Sequence, residues 1–339
     1  MLKKSALAAL ELFLLIAPVS AFGSSCGEVI AFGPQQVLAS GSFQKITAGG
    51  YHGLGLKQDG SIVGWGDNGY GQRNAPKPNS GFVDIAAGQY HSLALKEDGS
   101  IVAWGYNGYG QRNVPQPNTG FIAVAAGDYH SLALKQDGSI VAWGHNAYGQ
   151  CNVPEPNTGF IGIDAGGYHS LGLKQDGSIV AWGYNYYGQC SVPEPNTNFV
   201  ALAAGSCHNL GLKQDGSIVA WGYNLFGQCN LPQPNTSFIA IAAGGFYNLG
   251  LKQDGTIVAW GDYYSGQCDV PAPDAGFVAM SAGALHSLGL KEDGSIVAWG
   301  LNSESQCNVP EPNTGFVAVA AGGWHSLGLK QDGSIVALG

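Results

Sequence analysis

FIAVAAGDYHSLALKQDGSIVAWGHNAYGQ, residues 121–150, holds three short apolar runs divided by turn signals. The first, Phe121–Gly127, ends in small residues, which suits a strand in a crowded place. The second, His130–Lys135, sets Leu132 and Leu134 on one side and Ala133 on the other. The third, Ser139–Gly144, carries β-branched and aromatic residues on both faces, as strands buried on both sides do. No run has helical period or length. Between the second and third lies Asp137-Gly138, the strongest short-range hairpin signal, which predicts a type I′ turn.

Nearly the same words return along the chain. Asp-Gly recurs at Asp59, Asp98, Asp137, Asp176, Asp215, Asp254, Asp293 and Asp332, always 39 residues apart. Trp-Gly keeps the same step from Trp65 to Trp299, and Leu338 takes the Trp place in the last unit. A fixed period of this length marks a solenoid, a propeller or an array. Three strands make a small sheet that cannot bury both faces alone, and stacking such sheets radially solves the problem. The fold expected is therefore all-β: a β-propeller of eight short, three-stranded blades, with seven blades as the alternative. The turn between the first and second runs then lies at one end, the top. The Asp-Gly turns lie at the bottom, and the residues after Trp-Gly are again at the top. A Pro-rich crossover such as Val114–Thr119 descends to the next unit.

Residues 1–21 read as a secretory signal peptide: two lysines, an apolar core and a Val-Ser-Ala ending at Ala21. The apolar run is short for a membrane span, and none is expected after cleavage. Residues 22–339 form one domain without linker or low-complexity segment. Within it, residues 28–33 (EVIAFG) match a third run with Phe32 in the Trp place. This orphan strand belongs with the last unit, whose third run ends the chain, so the two termini close the ring. Which of the two strands sits inside stays open.

The pattern AAG-x-x-HSL-x-L-x-x-DG-x-[IV]-x-x-WG-x-N-x-x-GQ resembles the regulator of chromosome condensation repeat family over essentially the whole mature chain. Its short units are similar to the three-stranded blades of the propeller-type β-lactamase inhibitory protein subgroup, which has WGDN-x-x-GQ-x-x-VP segments. That resemblance implies a secreted binder of proteins. This chain departs from it in having eight units and in placing Cys or Arg after the Gln. The eukaryotic namesake of the family binds chromatin and exchanges nucleotide on a small GTPase. An exported chain with 14 basic and 23 acidic residues, net charge −9, lacks the basic patch that nucleic acid requires.

Seven histidines (His52, His91, His130, His169, His208, His286 and His325) open the second run, with Tyr247 in the sixth unit. Such repetition points to a structural hydrogen bond holding the top turn. Cys151, Cys190, Cys229, Cys268 and Cys307 share one repeat position, which Arg73 and Arg112 fill earlier. Packed sheets lie ~10 Å apart, too far for neighbouring cysteines to pair. The Arg residues rule out a metal ring, so the thiols read as small packed groups. Cys26 and Cys207 stand outside the pattern, and nothing in the sequence pairs them. Ser, His and Asp recur together, but the Asp belongs to the bottom and the His to the top. No catalytic set, cofactor motif or metal cluster emerges, and His145 reads as a lone surface histidine.

The copies differ mainly at the top. After Ala-Gly-x stand Tyr51, Tyr90, Tyr129, Tyr168, Phe246 and Trp324; within the loop after Trp-Gly stand Tyr70, Tyr109, Tyr148, Tyr187 and Phe226. These eleven form the candidate partner-binding rim, the first set also serving as candidates for packing between blades. Ser265 and Glu304 replace the aromatic in the sixth and seventh units, so one side of the rim differs. Eight of the twelve Lys and Arg residues beyond position 21 belong to the bottom turns. The top and crossovers are left acidic, which favours a partner with a neutral or basic contact surface. The expected function is non-catalytic protein binding outside the cytoplasm, extracellular or periplasmic, with inhibition of an extracellular enzyme as one form. Carbohydrate binding is the alternative and enzymatic activity the third reading.

Overall fold

The computed structural model describes residues 36–38 and 42–339. The expected leader 1–21, the expected strand 28–33 and Cys26 lie outside them. In the third unit the runs become strands Phe121–Ala126, His130–Lys135 and Ile140–Gly144. They pair antiparallel, with the second in the middle. The pattern repeats as eight separate sheets. The first strands of successive sheets approach one another, which makes them the inner strands of a ring of blades.

The bottom turn differs from the type I′ geometry expected. That turn needs positive φ at two residues, but only Gly138 has it, at 78°. The Asp137 carboxylate accepts hydrogen bonds from the Ser139 amide (2.9 Å) and hydroxyl (2.6 Å). This clasp keeps Asp137 right-handed, so the loop is three residues, Gln136–Gly138, with glycine in the left-handed position of a bulge.

The core lies between blades. Leu132, Leu134 and Ile140 of the third blade pack on Phe160, Ala165 and Trp182 of the fourth. Burying each large side chain contributes roughly 1.5–3 kcal/mol, so the seam rather than the isolated sheet is the stable unit. The glycine ending each inner strand permits this approach. A Cβ on Gly127 would lie 2.5 Å from the Gly166 carbonyl oxygen. The same packing closes the ring: Leu327, Leu329 and Ile335 of the last blade meet Phe43, Ile46 and Trp65 of the first. The Gly323 amide donates to the Gly49 carbonyl across that seam at 3.2 Å. The ring has eight blades.

The N-terminal strand that joins the last blade is Gln36–Leu38, paired antiparallel with Ile335–Leu338. It forms the outermost edge of a four-stranded sheet. The C-terminal strand therefore sits inside the N-terminal one.

Candidate functional site

At the top, two loops meet in each blade. The amide of the residue after Trp-Gly donates to the carbonyl of the aromatic in the turn, as His145 does to Tyr129 (2.9 Å) and Tyr184 to Tyr168 (2.9 Å). The loop after Trp-Gly is held from inside. The fully buried Gln150 accepts the Tyr148 amide on its side-chain oxygen at 3.0 Å. Its backbone carbonyl receives the Trp182 indole N–H (2.9 Å) and the Ser170 hydroxyl (2.9 Å) of the next blade. Tyr148 thus projects from a loop whose frame belongs to two blades.

The rings so presented are continuous. Tyr51 stacks on Tyr90 at 5.1 Å, and Tyr70 meets Tyr90 edge-on at 5.5 Å. Tyr106 links Tyr70 (4.8 Å) to Tyr129 (6.3 Å), and Tyr109 packs against Tyr129 at 5.4 Å. Tyr148 touches Tyr168 (5.6 Å) and Tyr184 (4.8 Å), and Tyr187 touches Tyr223 at 4.7 Å. Phe226 joins Phe246 (5.7 Å) and Tyr264 (6.2 Å). Ten of the eleven rim candidates share this crescent, which runs from the first blade to the sixth. Trp324 stands apart on the remaining arc, half-buried in the eighth blade.

The first set packs between blades and lies along the rim. Tyr51, Tyr90, Tyr129 and Tyr168 are half-buried between neighbouring blades and also floor the crescent. Burial first, then the nearby Asp128, pushes the Tyr168 hydroxyl up to about 12, so it stays protonated at neutral pH. Tyr70, Tyr109, Tyr148 and Tyr187 are exposed over roughly half their surface. Sequence reasoning passed over Tyr106, Tyr184, Tyr223, Tyr186, Tyr263 and Tyr264. The first three occupy the place directly after Trp-Gly, where a Tyr in three units was the available signal. His145 occupies that place in the third unit and is no isolated histidine. It lies edge-on to Tyr109 at 4.7 Å, and its Nδ1 is 2.6 Å from the Gln150 amide nitrogen.

The repeated histidines are structural, but they do not hold their own turn. His130 Nε2 reaches Ser170 Oγ of the next blade at 2.9 Å, and that hydroxyl donates onward to the Gln150 carbonyl. Ser170 has one proton, so Nε2 is the donor, as it must also be toward the Asn209 carbonyl oxygen from His169 (2.6 Å). Burial pushes the imidazoles down to about 3 for His130 and about 4 for His169. Tyr247 substitutes by bonding the equivalent Ser287 hydroxyl at 2.9 Å. These histidines are buried between blades, while Asp137 is exposed at the bottom, so the two do not meet.

The shared cysteines are half-buried donors. Cys151 Sγ lies 3.3 Å from the His145 carbonyl, and Cys268 Sγ 3.1 Å from that of Asp262. Arg73 and Arg112 close the same loop through a guanidinium to the Gly66 and Gly105 carbonyls, each at 3.1 Å. Burial raises the five thiols to about 11 or 12. Alkylation by iodoacetamide at neutral pH is therefore expected to be at least about a hundredfold slower in the folded protein than in urea. Rapid labelling of these five in the native state, read by mass spectrometry, would contradict that. Cys207 is half-buried, and Cys26, the other cysteine outside the repeat pattern, lies outside the described residues.

The bottom turns carry both signs, a lysine and an aspartate in each blade. Each bottom lysine lies over the phenylalanine that opens its inner strand, 4.7–5.5 Å from the ring centroid. At the top, Asp67 accepts from the Gln72 amide at 2.6 Å, and Asp128 and Asp262 are buried beside the rings.

Seven segments, 43–72, 82–111, 121–150, 160–189, 199–228, 238–267 and 277–306, match the regulator of chromosome condensation (RCC1) repeat. No curated protein matches the chain. Among solved structures, the ectodomain of the Physcomitrella patens receptor kinase CR4 is 25% identical, with 77% of this chain and 74% of that one covered and a TM-score of 0.61. The ectodomain of the Arabidopsis thaliana receptor kinase ACR4 is also 25% identical, with 76% and 97% covered and a TM-score of 0.57. Prp20p from Saccharomyces cerevisiae, described with its binding to Gsp1p and histones, is 20% identical over 86% and 81%, with a TM-score of 0.55.

Proposed function

The chain belongs to the regulator of chromosome condensation repeat family, and on that premise we propose that it is a secreted, non-catalytic propeller that binds a protein through its top crescent. One observation carries the reading: aromatic rings in unbroken contact across six blades, with the arc of the last two blades left different. Large aromatic side chains, partly exposed and held in rigid loops, are the usual anchors of protein interfaces. One-sidedness suits a single large partner better than several small equivalent ones. Acidic residues outnumber basic ones in the top loops and crossovers, which favours a partner with a neutral or basic contact surface. Inhibition of an extracellular enzyme is the form of binding in keeping with the short-bladed subgroup.

The partners of Prp20p are not carried over, because that likeness is one of fold and a chain of net charge −9 is poorly matched to a polyanion such as chromatin. The absence of a reaction is supported by the chemistry of the repeated histidines, which are buried, neutral and bonded into the frame.

Pull-down from culture supernatant with the mature protein, run beside a glycan array, tests the reading. A saturable protein partner competed by the wild-type chain is expected. Saturable glycan binding with no protein partner would overturn it in favour of a lectin.

A further inference from the structure

The bottom face carries a feature unrelated to the crescent. In every blade the pairing of inner and middle strands slips after the first residue, as between Phe160 and Gly162. The second residue of the inner strand is the extra one in this bulge, and the slip turns it away from the sheet. It is apolar in seven blades, from Val83 in the second to Val317 in the eighth, with Gln44 in the first. All seven are exposed, Ile122 at 53% and Ile161 at 50%. The register sets them level with the lysine that ends the middle strand, beside the Asp-Gly turn. Strand propensity alone does not account for this, since threonine would serve a half-exposed position equally well and never occurs there.

Around this apolar ring runs a ring of charge. Each blade supplies one lysine and, two residues later, one exposed aspartate. Hydrogen bonds from the following Ser hold these carboxyls below their usual range, as at Asp137 and Asp176, so they are ionised at neutral pH. Eight lysines and eight aspartates of alternating sign thus line the bottom turns, with Glu97 and Glu292 adding a second acid in the second and seventh blades.

We infer that the bottom face is a self-association surface whose occupant is a second copy of this chain, bottom to bottom. A two-fold axis in the plane of the blades maps the apolar ring onto itself. It also maps the alternating ring onto another of the same period, and a rotation of part of a blade sets every lysine opposite an aspartate. Few surfaces are complementary to themselves in this way, and a closed two-fold contact requires it. The apolar ring offers on the order of 500 Å². Two such rings with the turns around them reach the ~1,000 Å² that a specific interface needs. Both crescents point outward in this dimer, so the inference stands whether or not the crescent binds a protein.

Sedimentation velocity of the mature chain, from nanomolar to high micromolar concentration, tests it. A reversible dimer that weakens with added salt is expected. The triple variant Ile122→Asp, Ile161→Asp, Ile239→Asp should raise its dissociation constant about a hundredfold or more. Should that variant misfold, Ile161→Cys supplies a second readout. A spin label there is expected to be immobilised as the dimer forms, and one on Tyr186→Cys at the top is not. A monomer at every concentration overturns the inference, whether the ring then holds some other apolar ligand or none. So does a dimer indifferent to the triple variant, or one that immobilises only the label at the top.

Discussion

Acidification from about pH 7 to about pH 5 is expected to unfold the protein cooperatively, because seven neutral histidines are buried between its blades. Their folded pKa values lie at about 3 to 4, against 6.5 when unfolded. Above 6.5 neither state binds these protons and the contribution is intact. Between 6.5 and about 4 only the unfolded chain binds them, and stability falls with pH. Each histidine costs about 1.4 kcal/mol per pH unit in that window, so seven together cost on the order of 10 kcal/mol per unit. That is comparable to the whole stability of a typical domain. Asp164 opposes the trend: burial raises it to about 7, so the folded state gains a proton there as pH falls from 7 towards 4. One carboxyl against seven imidazoles does not reverse the sign. The bottom aspartates add their loss only below the ordinary carboxylate range, since their folded values are lowered. Urea titrations monitored by tryptophan fluorescence at several pH values measure the proton count. A midpoint that is flat from neutrality to about pH 5 would refute the account, and His130→Tyr, which copies the sixth blade, should reduce the slope by one proton.

Replacing Tyr148, Tyr187 and Phe226 together by alanine is expected to weaken the partner's binding by about 3 kcal/mol, or roughly 150-fold. Each ring contributes ~1 kcal/mol as a partly exposed anchor. Tyr187 and Phe226 both touch Tyr223, so the three losses will not add exactly as singles. Gln136→Ala and Gln175→Ala at the bottom turns are the controls and should leave affinity unchanged. Biolayer interferometry against the captured partner reads both sets. Equal losses from the two faces would remove the crescent from the interface.

The period, the strands and the ends of each blade were legible in the sequence, because Asp-Gly, Trp-Gly and the Phe opening each inner strand recur at fixed steps. What one unit could not reveal was anything made by two. The direction of His130, toward the next blade's Ser170, is invisible within a single repeat. So is the contact between Tyr106 and Tyr129, since each comes from a different blade. The bottom turn was misread for a local reason: the Ser139 clasp on Asp137 outweighs the Asp-Gly preference for a two-residue loop. The bulge that exposes Ile161 leaves the apolar pattern intact and shows only in the register.

Closure of the first blade by the eighth also sets an order of events during synthesis. Ile335 is made after the strands of the seven blades before it, yet it packs against Phe43 of the first blade, and its strand carries Gln36–Leu38 on its outer edge. Until the eighth blade has left the ribosome, the first blade keeps Phe43, Ile46 and Trp65 uncovered while successive blades stack behind it. A nascent chain of this design is an open stack with two adhesive ends, and only its eighth blade makes it a wheel.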